Sequence, residues 1–202
     1  MTRRNAFRTA FALAGAAALG FAAWSAAPPP AQADDAATAD AGFHQHLAGN
    51  VSRLGDDGQL HAVDASELAD VEYLAIYYSA HWCGPCRAFT PDLVTFYNDF
   101  KADHPNFELV FISSDRDEDA MSGYVAGDAM PWLVLDYDLR KTSPLKQYAG
   151  RGIPCLVLLD QAGTVLSDSY VDGSYVGPRT VMAYIQDNVQ PPAPATATTD
   201  AP

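Results

Sequence analysis

The sequence predicts an α/β domain: a mixed central β-sheet flanked by helices on both faces. The first of three observations carries that expectation, and the other two mark where its chemistry sits. Apolar runs of strand length alternate with amphipathic helical stretches through most of the chain, and the pattern closes on a hairpin and a helix. A Cys-x-x-Cys pair, Cys83-Gly84-Pro85-Cys86, sits where an apolar strand hands over to a helix. An Ile153-Pro154 pair opens a later apolar strand.

The chain divides into four parts. Residues 1–33 carry Arg3, Arg4 and Arg8, then an alanine-rich apolar stretch from Ala10 to Ala23, then Ala31-Gln32-Ala33. That order is the pattern of a secretory signal peptide cleaved after Ala33, which places the mature protein outside the cytoplasm, in a periplasm-like compartment. Arg3-Arg4 leaves open whether export is by the general or the twin-arginine route. Residues 34–42 form a low-complexity linker and residues 191–202 a Pro/Ala/Thr tail, both expected to be disordered. Residues 43–190 are long enough for one domain with a full core.

Charge narrows the function. The leader holds three of the twelve basic residues and none of the twenty-five acidic ones, so the rest of the chain has nine basic residues and a net charge of −16. A nucleic-acid partner is not expected, since phosphate contacts need a basic face. Three cysteines are an odd number, too few for a disulfide scaffold, so they read as chemistry with one left over.

The elements follow in order. Phe43–Leu54 reads as a short helix or irregular lead-in, Asp56-Asp57-Gly58 as a turn, Gln59–Val63 as a short strand and Asp64–Leu68 as a capped helical turn. Tyr73–Ser79 is the central strand, and Pro85–Lys101 a long helix that Pro91 should kink. Phe107–Ser113 is a second buried strand and Asp117–Tyr124 a helix; the acidic run Asp115–Asp119 is expected to cap it. Pro131–Leu135 is a short apolar segment and Ser143–Tyr148 a short helix. Cys155–Leu159 is a third strand, Asp160–Gly163 a hairpin turn, Thr164–Asp168 its return strand and Pro178–Asn188 a closing helix.

Two thiols three residues apart at a helix N-terminus form a reactive dithiol, because free N–H groups there favour a thiolate. Cys83, nearer the helix start, is expected to attack, and Cys86 to resolve. Gly84 and Pro85 tune the couple through their effect on the reduced form. Ile153 and Pro154, after Gly150-Arg151-Gly152, read as a loop that holds a substrate backbone, with a cis bond as the alternative to an ordinary trans turn. Trp82 is expected to pack over the dithiol. His81 is expected to face solvent. Cys155 reads as a buried small apolar residue rather than a third redox thiol. No metal site is expected from His44, His46 and His61, and no cofactor beyond the Cys83–Cys86 couple.

At this point a resemblance enters. Tyr77-Tyr78-Ser79-Ala80-His81-Trp82-Cys83, Cys86-Arg87-Ala88-Phe89-Thr90-Pro91, Phe96-Tyr97, Phe111-Ile112-Ser113-Ser114-Asp115 and Met130-Pro131-Trp132-Leu133 are similar to the thioredoxin superfamily, in its tryparedoxin and nucleoredoxin branch. The resemblance covers about residues 56–190. It implies a thioredoxin fold, a cis bond before Pro154 and dithiol–disulfide exchange. Three departures are plain. Tryparedoxins usually carry Cys-Pro-Pro-Cys, one of their tryptophans appears here as Ser114, and Tyr77 stands where thioredoxins commonly bury an Asp. Tyr77, with a phenol pKa near 10, is left with an orienting role.

These readings give an exported thiol–disulfide oxidoreductase, expected to run as a reductase, with an oxidase or isomerase as the alternative direction. Its partners would be protein or small-molecule disulfides and a membrane protein supplying electrons, and the domain is expected to act as a monomer. A copper-handling protein on the same fold is the alternative from another class, since two thiolates and a nearby His suit Cu(I). No histidine follows His104, which counts against it. A redox-silent interaction domain is the third reading.

Overall fold

The computed structural model describes residues 42–192. The expected signal peptide (residues 1–33), nearly all of the expected linker, and the tail from residue 193 onward lie outside the described residues. Helix α1 is His44–Leu47; β1 is Val51–Leu54 and β2 Leu60–Ala62. A 3-10 turn, Ala65–Leu68, is fixed by a capping box: Asp64 accepts from the Ser66 N–H, while Glu67 reaches back to the Asp64 N–H. Strand β3 is Tyr73–Ser79, helix α2 Gly84–Lys101, strand β4 Phe107–Ser113 and helix α3 Glu118–Gly127. Strand β5 is Leu133–Leu135, followed by 3-10 turns at Tyr137–Lys141 and Pro144–Tyr148. Strands β6 (Cys155–Asp160) and β7 (Val165–Asp168) form a hairpin, β8 (Tyr170–Val171) and β9 (Ser174–Tyr175) a smaller one, and α4 is Pro178–Asn188.

Among the described residues, seven strands make one sheet in the order β2-β1-β5-β4-β3-β6-β7. The middle of it, β5-β4-β3, is parallel; β6, β7, β1 and β2 run antiparallel to their neighbours. Strand β3 lies between β4 and β6, and alternate side chains enter different cores. Ala75 and Tyr77 pack with Leu93, Tyr97, Tyr124 and Ile185 from α2, α3 and α4. Leu74, Ile76 and Tyr78 pack with Phe43, Leu47 of α1, and Leu68 and Leu145 of the 3-10 turns. Helices thus cover both faces, three on one and a short helix with 3-10 turns on the other.

Two readings need correction. The lead-in Phe43–Leu54 contains a strand: β1 bridges β2 and β5, but only Val51 of its four residues is buried, so no apolar run marks it. The segment Pro131–Leu135 contains β5, an interior strand only three residues long. Pro91 lies within α2, as the sequence placed it.

Candidate functional site: the dithiol loop

Strand β3 ends at Ser79, and four residues later the chain enters α2. Cys83 is the N-cap of that helix, in extended conformation, and its Sγ accepts the Cys86 N–H at 3.2 Å. A side chain at this position takes one of the helix's unpaired N–H groups. Pro85 fits the first turn, where its missing N–H costs nothing. Cys83 and Cys86 form a disulfide, with Cα atoms 5.2 Å apart. Cys83 retains 6% exposure and Cys86 none, so Cys83 is the less buried of the two.

The Ile153–Pro154 peptide is cis. The Ile153 carbonyl oxygen lies 3.8 Å from Cys83 Sγ, and the Ile153 side chain packs against Ala80, Cys83 and Cys86. Tyr175 of the small β8–β9 hairpin donates its hydroxyl to the Pro154 carbonyl at 3.0 Å. The glycines before Ile153 serve close packing rather than looseness: a side chain at Gly150 would run into the ring of Tyr170. Pro85, Ala88, Phe89, Pro154, Tyr175 and Val176 line a shallow groove of about 370 Å³ beside the disulfide.

Contacts that sequence reasoning did not foresee hold the loop. Asp115, 5% exposed, accepts the His81 N–H on Oδ1 at 2.9 Å and the Ser113 hydroxyl on Oδ2 at 2.9 Å. It is therefore not part of the helix cap. Asp117 caps α3, taking the Ala120 N–H at 2.8 Å. Trp82 does not lie in the core: it is 55% exposed, and its indole N–H donates to the Ser114 carbonyl at 3.0 Å. His81 is exposed, with its ring edge-on to Tyr124.

Beneath the dithiol, buried Thr90 donates to the Cys86 carbonyl at 3.0 Å. Its oxygen is also 2.9 Å from the Tyr77 hydroxyl and 2.6 Å from that of Tyr124, which lies 3.2 Å from Ser79 Oγ. One consistent assignment has both tyrosines donating to Thr90 and Ser79 donating to Tyr124. Burial raises the Tyr77 pKa above the ordinary phenol range. Tyr77 stays neutral and bonds Thr90 of α2 rather than a sulfur.

Cys155 is fully buried opposite Tyr78 in the β3–β6 ladder. Burial pushes its thiol up to about 11. His44 Nε2 is bonded to the Val71 carbonyl and His61 to Asp57, so these histidines serve separate contacts. Among the described residues no group of three or more His, Cys, Asp or Glu is placed to hold a metal ion.

Known proteins resemble this chain. The family model for Thioredoxin-like proteins matches residues 70–165. Probable nucleoredoxin 1 of Arabidopsis thaliana is 45% identical over 115 residues, which is 56% of this chain and 19% of that protein. Nucleoredoxin of Homo sapiens is 36% identical over 127 residues, 62% of this chain and 28% of that protein. The chain thus spans less than a third of the nucleoredoxins it matches. Tryparedoxin of Trypanosoma brucei brucei is 36% identical over 121 residues, 59% of this chain and 79% of that protein. Among solved structures, native tryparedoxin I from Crithidia fasciculata superposes with a TM-score of 0.55 at 31% identity, covering 73% of this chain and 94% of that one. The dithiol at the start of α2, the cis-proline loop beside it and these similarities place the chain in the thioredoxin superfamily, in its nucleoredoxin- and tryparedoxin-like branch.

Proposed function

We propose that the protein is an exported thiol–disulfide oxidoreductase that works as a disulfide reductase. The observation that carries this reading is the Cys83–Cys86 disulfide at the N-terminus of α2, with Cys83 at the cap and the less buried of the two. A donor first supplies two electrons and two protons, opening the internal disulfide to two thiols. The helix N-terminus and the Cys86 N–H favour the Cys83 thiolate. That thiolate attacks one sulfur of a substrate disulfide, forming a mixed disulfide and releasing the other sulfur as a thiolate. Cys86 loses its proton and attacks Cys83 Sγ, which closes the internal disulfide and releases the second substrate thiolate. The shallow apolar groove and the Ile153–Pro154 backbone hold the substrate segment during both steps.

The leader pattern in residues 1–33 supports export, with the mature chain starting at Asp34. In an oxidising compartment the donor is then a membrane protein carrying electrons from inside. Reduction of insulin disulfides by the protein with a dithiol donor tests the activity. Turnover by the wild type and none by Cys83→Ser is the expected result; turnover retained by Cys83→Ser would overturn the assignment.

A further inference from the structure

A larger cavity, about 610 Å³, adjoins the residues that hold the dithiol loop. Its size falls within the roughly 300–1,000 Å³ of small-molecule sites. One wall is the Ser113–Arg116 segment that leaves β4; Arg140, Lys141, Lys146 and Ala149 form the other. Ser114 accepts the Trp82 indole N–H and Asp115 the His81 N–H, while Ala149 leads directly into the loop that ends at Pro154.

The charge of this lining runs against that of the chain. Twenty-five acidic residues face twelve basic ones overall, and nine basic residues lie outside the leader. Four of the nine, Arg116, Arg140, Lys141 and Lys146, meet at this one cavity. Among the described residues none of the four is within ion-pair distance of a carboxylate. The acidic residue on the lining, Asp115, has both carboxylate oxygens engaged, by the His81 N–H and the Ser113 hydroxyl. Four like charges around a hollow repel one another. Among the described residues none of these charges is paired with a carboxylate.

Arg140 is set in place for a ligand. Its guanidinium lies 3.4 Å over the Tyr137 ring and donates one N–H to the Tyr137 carbonyl at 2.7 Å. The Tyr137 hydroxyl in turn donates to the Asp115 carbonyl at 3.2 Å. A guanidinium fixed this way keeps further N–H groups for a planar anion, and lysines add point charges around it. We propose that this cavity binds a small polyanion bearing two or more carboxylate or phosphate groups, held by Arg140 and enclosed by Arg116, Lys141 and Lys146. The inference does not depend on the direction of electron flow at Cys83.

Calorimetric titration of the protein with citrate and, separately, with inorganic pyrophosphate at constant ionic strength tests it. Saturable binding of at least one is expected. The Kd should rise about tenfold or more in the R116A/K141A/K146A variant, through loss of charge-assisted contacts. It should hold steady in Arg179→Ala, which removes a cation elsewhere. All three substituted side chains are exposed, and single Lys141→Ala and Lys146→Ala variants should each show part of the loss. Binding of only one probe identifies the ligand as carboxylate- or phosphate-bearing. If neither saturates below about 10 mM, or if the triple variant binds as the wild type does or loses no more than Arg179→Ala, the proposal is wrong.

Discussion

Asp115 Oδ1 accepts the His81 N–H at 2.9 Å, tying the end of β4 to the loop that presents Cys83. The carboxylate is buried and its other oxygen takes the Ser113 hydroxyl. Removing it leaves two donors without their partner, a loss of about 1–3 kcal/mol for each group that water does not reach. Asp115→Ala should therefore lower the unfolding free energy by roughly 2 kcal/mol or more. Asp115→Asn, which keeps one acceptor oxygen, should lose less. Urea unfolding of the two variants checks the order.

Cys155 gives a prediction in pH. Burial raises its folded pKa to about 11, above the ordinary thiol value, so the folded protein keeps the proton longer than the unfolded chain does. Stability from this group is complete below the unfolded pKa and falls as pH rises toward about 11. Cys155→Ala should flatten that fall, by an amount on the order of 2 kcal/mol between roughly pH 9 and 11. Buried Tyr77 and Tyr97 are raised in the same direction, but they are present in both proteins and drop out of the difference, whereas Tyr78, raised by burial and also by the charge of Cys155, is eased by the substitution and adds to the flattening. Unfolding measured across this range in both proteins gives the answer, with a parallel loss counting against a buried, protonated Cys155.

The potential of the couple follows from Gly84-Pro85 between the cysteines. It should lie nearer thioredoxin, about −270 mV, than the oxidant DsbA, about −120 mV. Equilibration with glutathione buffers measures it. A value above about −160 mV favours an oxidase over the proposed reductase, since about 30 mV is tenfold for a two-electron couple.

What the sequence made legible was what local pattern encodes. Tyr73–Ser79, Phe107–Ser113 and Pro178–Asn188 are dense enough in apolar residues, or well enough bounded, for their ends to coincide with the observed elements. Strand β1 was hidden because three of its four residues are only partly buried, and its place is set by partners far along the chain. The β8–β9 hairpin did leave a signal, Asp172-Gly173 between Tyr170-Val171 and Ser174-Tyr175, a turn pair that short strands can flank. At the site, Cys83, Cys86 and Pro154 stand out as motifs. The bonds of Asp115 to His81 and of Tyr175 to Pro154 depend on tertiary approach, which acidic-run or hairpin patterns do not encode.

The central claim, that Cys83 attacks and Cys86 resolves, is tested most directly by mass spectrometry of a trapped intermediate. Reduced Cys86→Ser protein incubated with a disulfide substrate should accumulate a one-to-one mixed disulfide on Cys83, because the resolving thiol is gone and Cys155 is fully buried. An adduct carried mainly by Cys155, or none at all while Cys83→Ser forms one on Cys86, would contradict the account.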